Sequence, residues 1–213
     1  MKDFAIVVNS CDKYSWLWDG WYYFFKTNLN LNCNIYLLSE SEKFDKDDIK
    51  MVNVPVYGFD KFTIKLRESL KQIPEKNILL ITEDFYILKK ISFNKIYTLF
   101  KKLNADSIRL HPFTKRTTSK KTKYTGLNRL SRFSNYLISH CPTIFNKEFL
   151  IKCLDKQENL WENEVKGSKR LKKKQIFNRN KLYIYNILWC VNVINKGKIT
   201  NNWGYDFIKK INN

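Results

Sequence analysis

The sequence predicts an α/β fold, a mostly parallel sheet flanked by helices, and three features carry that expectation. Its strand-like runs are continuously apolar, as strands covered on both faces are. Between residues 4 and 110 these runs alternate with stretches of helical spacing. The strongest runs stop at short clusters of polar residues. The 213 residues suit one domain with a core of its own, and neither an internal repeat nor a clean linker divides them.

The elements follow in order. Phe4-Ala5-Ile6-Val7-Val8 reads as a buried strand that ends at Asn9-Ser10-Cys11-Asp12. Residues 14–26 carry Trp16, Trp18, Trp21, Tyr22, Phe24 and Phe25 at helical spacing, a thick aromatic face. Ile35-Tyr36-Leu37-Leu38 is the second strand, ending at Ser39-Glu40-Ser41. Val52 to Val56 is a weaker strand, assigned to a sheet edge because Pro55 lacks a ladder donor. Phe62, Leu66, Ser69, Leu70 and Ile73 share one helical face. Asn77-Ile78-Leu79-Leu80-Ile81-Thr82 is the clearest strand and runs into Glu83-Asp84. A helix follows over residues 92–103 with Ser92 as its cap, then a strand over 106–110. Beyond it, residues 115–132 read as a long basic loop and Tyr136 to Ser139 as a short strand. A helix over 147–154, a helical Trp161-Glu162-Asn163-Glu164, and strands at 183–185 and 191–194 complete the reading.

Composition narrows the function. Lys and Arg total 39 against 20 Asp and Glu, a formal net charge of +19 that attracts polyanions. Nucleic acid, an anionic membrane face and phosphorylated small molecules are the three candidate partners, and the Lys, Asn and Ile richness of the chain accounts for part of the excess. Five cysteines without a CxxC pair make neither a disulfide framework nor a zinc ribbon, which points to a reducing compartment. No apolar run reaches the ~18 residues of a membrane-spanning helix, and the N-terminal stretch reads as a strand, not a signal peptide.

Ligands of open α/β sheets bind beyond the carboxyl ends of the strands, so those ends carry the candidate chemistry. Glu83-Asp84 sits at one such end, and adjacent side chains leave a strand in opposite directions, so one of the two faces a given site. A single carboxylate there holds a hard divalent cation when substrate phosphates supply further oxygens; the plain alternative is an ordinary polar turn. Neither GxxxxGK[ST] nor GxGxxG occurs, which argues against P-loop and dinucleotide enzymes. Glu162 and Glu164 point apart on a helix, so at most one serves a pocket as a base. Two histidines, His111 and His140, cannot build a histidine-based metal site. Cys11 reads as a small packing residue.

Several stretches together resemble one family. Val7-Val8-Asn9-Ser10-Cys11-Asp12-Lys13-Tyr14, Ile35 to Ser39, Phe62 to Leu70, Ile78 to Ile87 with its acidic Thr82-Glu83-Asp84, Pro142 to Leu150, Trp161-Glu162-Asn163-Glu164 with Gly167-Ser168, and Val193 to Lys198 occur in order over nearly the whole chain. They look like the small GT-A-type glycosyltransferases of bacterial polysaccharide and lipopolysaccharide gene clusters and of some large viruses. The acidic segment departs from that pattern by lacking a first aspartate, Phe62 and Phe145 stand where Trp is usual, and His140 stands where Gln is common.

The resemblance implies a GT-A-like, Rossmann-like single domain. Residues 1–112 would bind the nucleotide sugar and residues 113–213 the acceptor. It implies transfer of a sugar from a nucleotide-diphosphate donor to an acceptor hydroxyl, assisted by Mn2+ or Mg2+. Asp84 would hold the metal, with Glu83 and Thr82 beside it; Asn9, Ser10 and Asp12 would line the nucleotide pocket, and Lys65 would meet the diphosphate or shape that pocket. Glu164 would deprotonate the acceptor, with Glu162 in reserve. A glycan or lipid-linked acceptor at an anionic inner-membrane face would give the basic stretches 115–132 and 166–181 a partner, placing the protein in the cytoplasm or peripherally on that membrane. Nucleic acid is not expected as a partner, since no RNP, KH or zinc-knuckle pattern occurs. The rival readings are a basic nucleic-acid-binding module and a catalytically inactive relative kept as a scaffold.

Overall fold

Strand β1 (Phe4–Asn9) lies third from one edge of a nine-stranded sheet in a computed structural model that describes residues 2–29, 31–56, 58–111, 117–185, 190–195 and 198–199. After β1 the chain forms a 3-10 turn (Asp12–Leu17) and α1 (Trp18–Asn28), then β2 (Asn34–Ser39), β3 (Ile49–Asn53), α2 (Phe62–Lys71), β4 (Asn77–Thr82), β5 (Phe85–Ile87), α3 (Phe93–Leu103) and β6 (Ser107–Arg109). The second half adds β7 (Ser119–Lys121), β8 (Leu127–Leu130), β9 (Thr143–Asn146), α4 (Lys147–Cys153), α5 (Leu160–Glu162), a π turn (Asn163–Gly167), α6 (Ser168–Leu171), α7 (Lys174–Arg179), β10 (Leu182–Tyr185), β11 (Cys190–Asn192), β12 (Ile194–Asn195) and β13 (Lys198–Ile199).

The sheet order is β3-β2-β1-β4-β9-β6-β10-β8-β7. The pairs β3–β2, β2–β1, β1–β4 and β6–β10 are parallel, and β9 is antiparallel to both β4 and β6. Only β9 and β8 therefore run against the common direction, which confirms the mostly parallel α/β class. Layering explains the continuous apolar runs. Phe4, Ile6 and Val8 pack with Trp18, Trp21, Phe25, Phe93 and Phe100 on one face. Ala5 and Val7 pack with Leu66, Leu70, Phe149 and Leu150 on the other. Both faces of β1 are covered, so alternation is absent. Gly20 permits the α1 contact with β5: a Cβ there would run into the Tyr86 hydroxyl, which donates to the Leu17 carbonyl at 3.1 Å.

Four expectations are corrected. Residues 119–130 form the β7–β8 hairpin at the sheet edge instead of a loop; Leu127 and Leu130 are its buried anchors, too few to reveal strand periodicity. Tyr136 to Ser139 is not a strand, because the Ser168 hydroxyl takes the backbone N–H groups of Leu137 and Ile138. The third strand begins earlier, at Ile49, and ends before Pro55, although it does lie at the sheet edge. Ser92 occupies the N-cap position of α3 without a side-chain capping bond. Residues 115–116 of the basic stretch and 196–197 of the last resemblance segment lie outside the described residues.

Candidate active site

The chain leaves β1 for β2 and β3 on one side, then returns to β4 on the other. The crevice between β1 and β4 is thus the topological switch point, where open α/β sheets bind ligands. Register places Asn9 beside Thr82, so Asn9 to Asp12 and Thr82 to Asp84 emerge side by side. They form one wall of a cavity of about 630 Å³, and residues from the second half of the chain close the opposite wall.

The floor is a buried ionic network. Lys65 on α2 donates through Nζ to the Ser10 carbonyl at 2.7 Å and to Glu40 Oε1 at 2.6 Å. Glu40 Oε2 accepts the Asp12 backbone N–H at 2.6 Å. Asp12 in turn accepts the backbone N–H groups of Glu40, Ser41 and Glu42 and the Ser41 hydroxyl. Partial burial pushes the Asp12 carboxyl up, but these hydrogen bonds outweigh it and hold the group at about 2. The loops after β1 and β2 are therefore tied together by paired charges, with Trp18 Nε1 donating to Ser10 Oγ at 2.8 Å as a further tie.

The acidic tip of β4 behaves differently. Burial pushes the Glu83 carboxyl well above the ordinary glutamate value, and the neighbouring Asp84 charge adds to it; Lys65 and a hydrogen bond from Ser10 oppose the rise. Burial also raises Asp84, partly offset by the Thr82 hydroxyl, which donates to Asp84 Oδ1. Val193 N–H donates to the Asp84 carbonyl at 2.8 Å, and β11 pairs with β5, which brings Asn192 and Ile194 to the cavity. Among the described residues no cluster of three or more His, Cys, Asp or Glu is arranged to hold a metal ion by itself. One partly buried carboxylate with a second beside it suits a hard divalent cation in company with ligand oxygens, and not alone.

Opposite stands Glu164, on the π turn between α5 and α6. Its Oε1 accepts the His140 backbone N–H at 2.7 Å and the Ser139 hydroxyl at 3.1 Å. The preceding Asn163 is fully buried; its Nδ2 donates to the Cys153 carbonyl at 2.9 Å and to Glu158 Oε2 at 3.0 Å. Asn163 Oδ1 is therefore an acceptor, so His140 Nε2, 2.9 Å away, carries the proton. Burial pulls the His140 imidazole below its ordinary value, keeping it neutral. Arg170 completes the support with a two-pronged pair to Glu158, at 2.6 and 2.8 Å. Inserted π turns recur at functional sites because they re-aim one side chain out of an α-helical repeat.

Asn9, Ser10, Asp12, Lys65, Thr82, Glu83, Asp84 and Glu164 thus all line one cavity; Glu83 and Asp84 both reach it, against the expectation of one, because the turn after β4 replaces strand alternation. Glu162 does not. Its Oε2 accepts the Asn159 N–H in a capping box and its Oε1 pairs with Lys166 at 2.6 Å on the surface. Arg109, buried on β6, donates to the Tyr136 carbonyl and is not part of the wall. The cavity also includes Glu40, Tyr14, Phe59 and Trp161, none of which the sequence marked as site residues although Tyr14 and Trp161 lie in the resembling segments, and Cys11, read as packing, lines it too. Glu40 had a signal, its place directly after β2; burial pushes the Cys11 thiol up to about 11, so it is no ready nucleophile.

No family model matches the chain, and no curated protein matches it in sequence. Solved structures share its fold. UDP-glucose pyrophosphorylase complexed with UDP-glucose aligns with a TM-score of 0.60 and 9% identity, over 100% of this chain and 98% of that one. A197 from STIV aligns at 0.53 and 14%, over 92% and 87%. S. aureus TarS 1-349 aligns at 0.52 and 14%, over 87% of this chain and 60% of that one, and it has also been solved with UDP-GlcNAc and with UDP. This chain spans only 37% of the longer TarS structure. At such identities the likeness establishes a shared fold.

Proposed function

We propose that the protein is a glycosyltransferase that moves a sugar from a nucleotide-diphosphate donor to an acceptor hydroxyl. The observation that carries the reading is convergence: the tips of β1 and β4 and the Glu164 carboxylate, from distant parts of the chain, face one cavity at the switch point. In support, TarS, which shares the fold, has been solved with UDP-GlcNAc, and UDP-glucose pyrophosphorylase with UDP-glucose.

In this reading residues 1–112 hold the donor and residues 113–213 the acceptor. Asn9 and Ser10 line the nucleotide pocket, while Asp12, Glu40 and Lys65 fix its walls through their mutual bonds. Glu164 takes the acceptor proton as the acceptor oxygen bonds to the anomeric carbon and the sugar–diphosphate bond breaks, its electron pair leaving on the diphosphate. Ser139 and His140 hold one Glu164 oxygen and so orient the base. Lys13, at the cavity wall, offers a cation to the departing phosphates. Asp84, with donor phosphate oxygens, would hold Mg2+ or Mn2+, which when bound supplies charge stabilisation for the leaving group.

A glycan or lipid-linked acceptor on an anionic membrane is part of the proposal. No helix among the described residues is long and apolar enough to cross a membrane. The exposed Lys120 and Lys121 on β7 supply basic contacts worth about 1 kcal/mol each near such a surface. Salt-dependent co-sedimentation with phosphatidylserine vesicles is expected; its absence removes the membrane from the proposal.

The test of the main reading is a thermal-shift panel of nucleotide sugars with Mg2+ or Mn2+, followed by transfer assays. A ligand at 100 times its Kd raises stability by about 2.7 kcal/mol. A flat response to every nucleotide sugar, with tight binding of single-stranded or duplex DNA, would favour the nucleic-acid module. Donor binding without turnover would favour the inactive scaffold. Release of diphosphate from a nucleoside triphosphate and a sugar phosphate would favour nucleotidyl transfer, the reaction class suggested by the UDP-glucose pyrophosphorylase fold match.

A further inference from the structure

At the mouth of the cavity two aromatic side chains are left open to solvent. Phe59 is 59% exposed and Trp161 57%, and their ring centroids lie 5.2 Å apart. The other large apolar side chains with comparable exposure, such as Phe133 and Trp16, are not part of the cavity wall. The two rings come from separate segments. Phe59 opens a 3-10 turn after Gly58, whose φ of 108° only glycine adopts without strain, and Trp161 sits in the first turn of α5. Trp161 and Glu164 lie three residues apart across the junction of α5 with the π turn, and both line the cavity. Burying these rings in the core would have been favourable by a few kcal/mol, so their joint exposure beside a carboxylate marks a contact surface.

We propose that Phe59 and Trp161 form a platform for a pyranose ring of the acceptor saccharide. The proposal rests on the glycosyltransferase reading and deepens it by naming the residues that meet the acceptor saccharide, Phe59 being a contribution from the otherwise donor-holding half. The chemistry selects such an occupant. An aromatic face carries negative quadrupole density and attracts polarised C–H groups, and a pyranose presents a face of C–H groups with hydroxyls at its rim. An apolar platform three residues from a carboxylate matches that division: the ring face lies on Trp161 and a rim hydroxyl reaches Glu164. A nucleobase could also stack on such rings. However, the polar groups that would follow a nucleotide, Asn9, Ser10, Asp12 and Lys13, lie at the β1 end, while Trp161 shares its helical run with Glu164.

The experiment is saturation-transfer NMR on the full chain with methyl β-glucoside, methyl β-galactoside and methyl β-N-acetylglucosaminide as probes, beside calorimetry with UDP, GDP, CDP and dTDP. Wild-type protein is expected to show transfer to the C–H protons of one ring face of at least one glycoside. Trp161→Ala and Phe59→Ala are each expected to weaken that glycoside's binding by about tenfold, the upper range for one aromatic contact, while Trp161→Phe restores most of it. Nucleoside diphosphate affinity should not change in any variant. Both rings are exposed, so the variants keep the core, and a retained melting temperature verifies it. The proposal is overturned if no glycoside shows transfer, if Trp161→Ala leaves glycoside binding intact, or if it weakens nucleotide binding. Failure of the glycosyltransferase reading looks different: no nucleoside diphosphate binds, whatever the glycosides do.

Discussion

The two walls of the cavity are built by different means. The β1–β2–β4 wall hangs on parallel strands of six residues whose side chains are buried on both faces. Its charged groups are tied mainly to backbone and to each other across short loops. Among the described residues the Glu164 wall hangs on no such long parallel strand. It rests on short helical pieces, a π turn and the buried chain His140–Asn163–Glu158–Arg170. A sheet positions atoms through many equivalent hydrogen bonds, so the loss of one shifts little. A polar network positions them through a few unlike bonds, each of which leaves a buried group unpaired when removed. The first wall is suited to gripping a ligand, the second to aiming one carboxylate.

The largest expected effect tests that division directly. Glu164→Gln should lower transfer by about 10²–10⁴-fold, as for removal of a general base, while donor affinity stays within about twofold. Equal losses of donor binding and turnover would break the assignment of the two walls.

Second in size is Lys65→Met. It leaves Glu40 buried without its cation, and stability should fall by about 3–5 kcal/mol in denaturant titrations. A loss below 1 kcal/mol would show that the Lys65–Glu40 pair does not hold the first wall together.

Asn163→Ala strips partners from His140, the Cys153 carbonyl and Glu158 at once. Its stability cost should be about 1–3 kcal/mol. The distinguishing readout is kinetic: if Glu164 is the base, as proposed, kcat drops while the donor KM holds, because Glu164 is misaimed and the β1–β4 wall is intact. An unchanged kcat with lowered stability would reduce Asn163 to a packing role.

The smallest effect concerns pH. Burial raises the Glu83 carboxyl in the folded state, so it binds a proton that the unfolded chain releases near the ordinary glutamate value of 4.5. Stability from this group is therefore greatest below that pH and is lost as pH rises toward the raised folded value. Glu83→Gln should be more stable than wild type at pH 7–8, and the difference should vanish below about pH 4. A variant less stable than wild type at every pH would mean that Glu83 serves as a paired anion in the fold.

Much of the first wall was legible in the sequence. Continuous apolar runs marked β1, β2 and β4, and the rule that ligands gather at strand ends pointed to Asn9, Ser10, Asp12, Thr82, Glu83 and Asp84 before any coordinates. The same rule would have reached Glu40. The second wall was less legible. Strand β9 slips antiparallel between β4 and β6, pairing residues 63–69 positions apart with β4 and 34–38 with β6, and no local period announces that. The β7–β8 hairpin is so polar that it reads as a loop. Glu162 and Glu164 are indistinguishable in sequence until capping and the π turn separate them.

Sequence by itself determined the α/β class, because burying a strand on both faces demands an unbroken apolar run and that demand is local. It also determined which short polar clusters terminate those strands. Only the tertiary structure decided which carboxylate joins the cavity, which lysine is buried against Glu40, and which aromatics stay exposed at the mouth. Those outcomes depend on long-range pairing and on competition for hydrogen-bond partners, and neither is written in the spacing of residues along one segment.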